Sequence, residues 1–266
     1  MGVQGLPNCR GCGNSTELVD SHIIPEWAYK SVYTKKHKFA PVKASTTGKV
    51  VPEQKGYREP LLCRKCETYL SRLENDLFKD VKRIRAGIRQ VAPTRGRLLA
   101  FADKTVPNYS IFKRSILSIL WRMSISARQE FKNYSFGGRI EAELHDLVFN
   151  ENRPMPWSLF PIAVFRLTIG HKLDNGIMML FPETDFAAGI KSQSFAIYGL
   201  QFIVYIYMPK PSEVLPTEIA AIENVVLKEA GRILVADVDA VEIISKGSLY
   251  RRLASQDVRE FYKRHS

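Results

Sequence analysis

The sequence has little that would place it in a membrane. No eighteen apolar residues run together, and the richest stretch, FAIYGLQFIVYIYM at 195–208, is strand-length and interrupted by Gly199 and Gln201, so no spanning helix is expected. The opening MGVQGLPNCRGCG lacks a basic segment followed by an apolar one, so no signal peptide is read and a cytosolic protein is expected. There is no internal repeat, and no glycine-rich nucleotide fingerprint. Negative charge falls well short of positive charge in the first third. Residues 1–100 hold 19 Lys+Arg against 9 Asp+Glu, a balance of +10, whereas residues 101–266 hold 20 against 18, a balance of +2. Such asymmetry points to a polyanionic partner for the first third, nucleic acid foremost; a generally basic, solvated surface is the other explanation. At 266 residues the chain suits one large domain or two small ones.

Cysteine is also scarce, and its placement is informative. All four residues fall into two C-x-x-C pairs, Cys9/Cys12 and Cys63/Cys66. In a cytosolic chain a disulfide framework is disfavoured, and two such pairs supply the four thiolates of a tetrahedral structural Zn²⁺ site. Buried structural thiols or a redox pair are the alternatives, but CRGCG at the N-terminus lacks the βαβ context of a thioredoxin-like motif. The gap of about fifty residues between the pairs demands inserted structure rather than the bare loop of a compact zinc ribbon.

Between the pairs, ELVDSHII alternates as a short strand with Leu18, Asp20 and His22 on one face, ended by Pro25. Residues 34–59 are polar and basic and read as a long loop. LLCRKCETYLSRLENDLFKDVKRIR then begins as a knuckle and continues as a helix, with Leu70, Leu73, Leu77 and Val81 recurring at three and four. CRGC, SHIIPEW, QKGYREPLLCRKCE and LSRLEN together resemble the ββα-metal, or HNH, nucleases of the His-Me finger class, in the version braced by two C-x-x-C knuckles, and more narrowly a bacterial group of HNH endonuclease-like proteins. The likeness covers about residues 9–75 and extends more weakly to IFKRSILSILWRMSIS.

The resemblance implies an endonuclease that hydrolyses DNA with Mg²⁺ or Mn²⁺, with a role in defence against foreign DNA. A neutral imidazole takes a proton from water, and a divalent metal stabilises charge on the phosphate. His22 matches the family's general base; a histidine merely hydrogen-bonded beside a zinc knuckle is the alternative. Three positions depart from the family pattern. Ser21 stands where an Asp or His binds metal, Glu59 where an Asn orients the base, and Glu67 where a His follows the second knuckle. Carboxylates suit hard cations, so Glu67 is expected as the metal ligand, Asp20 as a reserve ligand, and Glu59 as the acceptor of the His22 Nδ1 proton. An acidic group at Glu67 also suits the helix dipole, and Glu74 is expected in a local ion pair with an arginine. Lys55, Arg58, Arg64 and Lys65 are expected to contact nucleic acid, within a basic set that includes Lys35, Lys36, Lys43, Lys49 and Arg89.

From about residue 101 the character changes. YSIFKRSILSILWRMSIS reads as a buried helix with Ile116, Ile119, Leu120 and Met123 as core, and 137–152 as a second helix. FPIAVFRLTI, IMMLFPE, FAIYGLQFIVYIYMP and RILVADVDAVEII read as strands. KLDNG at 172–176 is a plausible hairpin turn. LYRRLASQDVREFYKRH reads as a basic helix that docks or contacts a second copy or a protein partner, and His145 and His171 read as ordinary surface or core residues. The expected class is α+β: a zinc-braced ββα-metal domain at 1–100, then an α+β regulatory or assembly domain at 101–266 with an antiparallel or mixed sheet. A non-catalytic, zinc-stabilised nucleic-acid-binding or interaction subunit is the competing function.

Overall fold

The computed structural model describes residues 6–39, 41, 52–86, 101–169, 172–173, 178–181, 184–186, 190–207 and 226–239. Lys43, Lys49, Arg89, His171 and the C-terminal basic segment lie outside them.

Strand β1 (Val19–His22) pairs antiparallel with β4 (Arg58–Leu62), placing Ser21 opposite Glu59 and His22 opposite Arg58. Alternation along β1 buries Ser21 completely while Asp20 and His22 face outward. Between these strands runs a four-residue helix, α1 (Glu26–Tyr29). The 34–59 segment is not a bare loop. It carries two short strands, β2 (Lys38–Phe39) and β3 (Glu53–Gln54), joined antiparallel and anchored by packing of Phe39 against Tyr29 and Tyr57.

After β4 the chain enters α2 (Arg64–Arg85), so β1, β4 and α2 make a ββα unit. Leu70, Leu73, Leu77 and Val81 are all buried, as their spacing requires. Glu67 lies in the first turn and Lys82, Arg83 and Arg85 in the last, matching the helix dipole at both ends.

Strand β5 (Phe101–Thr105) leads into α3 (Tyr109–Ile125), whose start is capped by Asn108 accepting the Ile111 amide. A 3-10 helix (Gln129–Tyr134) and α4 (Gly138–Phe149) follow. Helix α3 is buried on every side, including Lys113, Arg114 and Arg122. Charged side chains are almost never buried without partners, and each of these is committed. Arg114 donates to the carbonyls of Leu147, Val148 and Asn150, capping the C-terminal end of α4.

The remaining strands are β6 (Ile162–Ile169), β7 (Lys172–Leu173), β8 (Met179–Leu180), β9 (Thr184–Phe186), β10 (Ile190–Ile197), β11 (Leu200–Tyr207) and β12 (Arg232–Asp239). They form one sheet with β5 in the order β5-β12-β6-β11-β10-β8, with β7 on β6 and β9 on β10. The sheet is mixed: β12 runs parallel to β6, and the other pairings are antiparallel. The long apolar stretch at 195–208 is not one strand but a hairpin, reversed at Tyr198 and Gly199, both with positive φ as a two-residue turn demands. Thr168 pairs with Leu173, so the chain has already reversed before KLDNG, whose last three residues lie outside the described ones.

The protein is thus α+β, and a contiguous core links its parts. Contacts cross residue 100 freely: Ser115 donates to the Leu73 carbonyl, Tyr69 to Val148, and Tyr57 packs edge-on against Phe131.

Lys113 gives this core a pH dependence. Its Nζ donates to the Tyr109 hydroxyl and the Pro156 carbonyl, and burial, partly opposed by Glu229, brings its pKa from 10.5 down to about 7. Between those values the unfolded chain holds a proton that the folded chain lacks, so this residue's contribution to stability rises with pH across that window. Lys113→Met should therefore stabilise the protein relative to wild type more at about pH 7 than at about pH 10, by on the order of a few kcal/mol. Urea midpoints at the two pH values check this, and a gap that widens with pH would contradict it.

Candidate active site and metal centre

The two knuckles meet although 51 residues separate Cys12 from Cys63. All four sulfurs lie within 4.8 Å of one another, with Cys12 and Cys63 Sγ 3.9 Å apart. Tetrahedral zinc with sulfur at ~2.3 Å sets neighbouring sulfurs about 3.8 Å apart, so the cluster is of a size to hold a structural metal such as zinc. The backbone assembles it. Arg10 N–H donates to the Leu61 carbonyl, Gly13 N–H to the Cys9 carbonyl, and Cys63 N–H to the Cys9 sulfur. Burial raises the Cys9 thiol, but backbone N–H groups of Cys63, Cys12 and Gly11 outweigh it and bring the pKa down to about 7, towards the thiolate a metal requires. Cys66 is pushed up, chiefly by burial and by the neighbouring sulfurs.

The knuckle is also fastened to α4. His145 Nε2 donates to the Gly11 carbonyl at 2.7 Å. A Cβ at Gly11 would meet the Phe149 ring at 2.9 Å and the Cys66 sulfur at 3.0 Å, so a side chain there would have to displace Phe149. His145 therefore ties the cluster to the second part of the chain, a role its isolation in the sequence did not suggest.

His22 sits at the end of β1, half-buried, with its Nε2 2.5 Å from Glu26 Oε2. Among the described residues, Glu26 is the sole hydrogen-bond partner of the ring. Burial, then the positive charge of Arg58, lowers the His22 pKa, while Glu26 pulls it back up; the net direction favours the neutral imidazole. The His22 carbonyl accepts from Arg122 Nη1 at 2.6 Å.

The carboxylates lie differently from expectation. Glu59 does not reach His22. It faces away from the ring, opposite Ser21 in the ladder, and accepts from Ser126 Oγ at 2.7 Å and from the Ala127 amide beyond the end of α3. Asp20 is exposed, its carboxylate 3.7 Å from Arg58. Glu67 stands in the first turn of α2, with Oε2 buried and unpartnered among the described residues. Glu74 does form an ion pair, but with Arg122 of α3 at 2.6 Å rather than a local arginine; burial raises its pKa and Arg122 opposes the rise. Ser21, buried against the core, offers no ligand outward.

Among the described residues the four cysteines are the one group of three or more His, Cys, Asp or Glu close enough to hold a metal. The expected divalent-metal ligand Glu67 and its reserve Asp20 belong to no such group of three; Asp20 faces Arg58, and the candidate base His22 faces Glu26.

Arg58 donates Nε–H to the Lys55 carbonyl at 2.9 Å, and its two terminal nitrogens stand 3.7 Å from Asp20 and from Glu26. Those are loose pairs, beyond hydrogen-bond length. Lys55, Arg64 and Lys65 are exposed, and Lys35 and Lys36 project from the turn that ends in β2. Glu26 and Arg122 are the site residues that sequence reasoning missed. Among the described residues, no helix is long and apolar enough to cross a membrane. Compared with known proteins, the chain matches no family model, no curated protein and no solved structure.

The cysteine cluster makes a direct prediction. Protein purified without a metal-binding tag should carry about one equivalent of a structural metal such as zinc, and Cys63→Ser should lose it together with several kcal/mol of stability. Elemental analysis and chelator-dependent melting check this. A metal-free protein whose melting is indifferent to chelator would contradict it.

Proposed function

We propose that the chain is a metal-dependent endonuclease that hydrolyses DNA phosphodiester bonds, with His22 as its general base and zinc as the structural metal of the cysteine cluster. The observation that carries this is the state of His22: a half-buried imidazole at the end of β1, biased towards its neutral form, on a ββα unit braced by four cysteines. A general base must be unprotonated at working pH and fixed in direction; the lowered pKa of His22 and its bond to Glu26 meet both conditions, whereas His145 is used to hold a backbone carbonyl of the knuckle.

His22 would take a proton from water as the oxygen attacks phosphorus. Arg58, pre-aimed by the Lys55 carbonyl, would exchange its loose carboxylate pairs for phosphate oxygens, which suit a guanidinium in bidentate fashion. Lys55, Arg64, Lys65, Lys35 and Lys36 would contact the backbone without reading sequence. Mg²⁺ or Mn²⁺ bound through Glu67 would supply neutralisation of charge on the phosphate and the leaving oxygen. Such cations are commonly held by one or two carboxylates, with phosphate oxygens and water completing the shell, so a complete protein cage is not required. The buried, unpartnered Oε2 of Glu67 fits that use.

A second function is favoured by one observation, the lack among the described residues of a three-ligand group beyond the cysteines. On that ground the chain would bind nucleic acid through the same basic surface without cutting it. Plasmid cleavage separates the two. Wild type should nick or linearise DNA with Mg²⁺ or Mn²⁺ and stop in EDTA. His22→Ala should lose roughly a hundredfold to ten-thousandfold in rate while keeping its structural metal and DNA binding. Retained binding with no cleavage by wild type would establish the binding module instead.

A further inference from the structure

The stretch SHIIPEW folds the chain back on itself. Past His22, the Ile23 amide donates to the Tyr57 carbonyl at 2.9 Å, and Ile23 and Ile24 are fully buried. Pro25 then starts α1, three of whose four residues are buried. Trp27 stacks on Phe78 of α2 at 5.0 Å, and the Tyr29 hydroxyl accepts the Tyr57 amide at 2.9 Å. Glu26 is the remaining residue of that helix, 39 % exposed, and its carboxylate returns to the His22 ring four residues earlier. The same oxygen, Oε2, also accepts from the Tyr33 hydroxyl at 3.4 Å and faces Arg58 Nη2 at 3.7 Å. The anchoring of α1 through Trp27, Ala28 and Tyr29 therefore fixes where this carboxylate stands.

The nearby carboxylates are otherwise engaged: Glu59 with Ser126, Glu74 with Arg122, and Asp20 loosely with Arg58. We infer that Glu26 is the positioning residue of the candidate base, its carboxylate accepting the Nε2–H of His22 so that the neutral ring keeps Nδ1 as the proton acceptor. This rests on the hydrolase function proposed above. In the step itself, a water proton moves to Nδ1, the water oxygen forms a bond to phosphorus, and the bond from phosphorus to the leaving oxygen breaks, that oxygen taking a proton from solvent. Nε2–H stays on His22 throughout, and Glu26 stabilises the imidazolium that forms. A carboxylate serves better here than a neutral acceptor, because the hydrogen bond strengthens as the ring becomes charged.

The test uses the full-length protein with its structural metal and ¹⁵N-labelled histidine, with His22 assigned through His22→Ala. Ring ¹⁵N shifts report the tautomer, and plasmid cleavage with Mg²⁺ or Mn²⁺ gives kcat and KM. Wild-type His22 should show the Nε2–H tautomer at neutral pH. Glu26→Ala should mix the tautomers and lower kcat on the order of 10- to 100-fold with KM little changed. Glu26→Gln, which keeps an acceptor oxygen, should keep the tautomer and recover part of the rate. A wild-type ring protonated at Nδ1, or a Glu26→Ala protein with unchanged kcat where His22→Ala is inactive, overturns the role of Glu26 alone. A wild type that does not cut DNA overturns the hydrolase function, and the role of Glu26 in catalysis with it.

Discussion

One guanidinium holds the site together. Arg122 has no solvent exposure, yet its Nη1 reaches both the His22 carbonyl and the Glu74 carboxylate at 2.6 Å, and its Nε reaches the Ser118 carbonyl. Burying such a charge costs several kcal/mol unless it is paired and hydrogen-bonded. The end of β1, the middle of α2 and α3 are therefore bound to one geometry, in which the carbonyl of the candidate base is directly gripped. Residues exactly one hundred positions apart in the chain meet there.

The cysteine cluster makes the same kind of connection at the other end of the unit. It brings the first knuckle onto β4 and the start of α2, and His145 and Phe149 of α4 close over Gly11. The helices after residue 100 are thus part of what positions His22. Along β1 the buried Ser21 alternates with Asp20 and His22, which lie on the side of Arg58 and Glu26. Lys35, Lys36, Lys55, Arg64 and Lys65 are exposed, and the turn of the mixed sheet at Tyr198 packs edge-on against Trp27 of α1 and Phe78 of α2.

Local patterns carried much of this. Two C-x-x-C pairs implied one cluster, since their spacing lets each knuckle turn two sulfurs inward. The three-and-four recurrence of Leu70, Leu73, Leu77 and Val81 marked the buried face of α2. Glu26 was less legible, because a proline turn has no period and the return of a side chain onto His22 depends on how α1 packs. Glu59 matched a position in a pattern, but its direction is set by the end of α3, far along the chain. Lys113, Arg114 and Arg122 were visible as charges within an apolar helix. Such residues must find buried partners, which gives the signal by which Arg122 could have been singled out, though not the identity of what it holds.

The measurement that bears most directly on this account is urea unfolding of Arg122→Leu beside the double variant Arg122→Leu/Glu74→Leu. If Arg122 is the clamp that joins β1, α2 and α3, the single variant leaves a buried carboxylate alone and loses about 3–5 kcal/mol, and the double variant recovers most of that loss. A single variant within about 0.5 kcal/mol of wild type would contradict it.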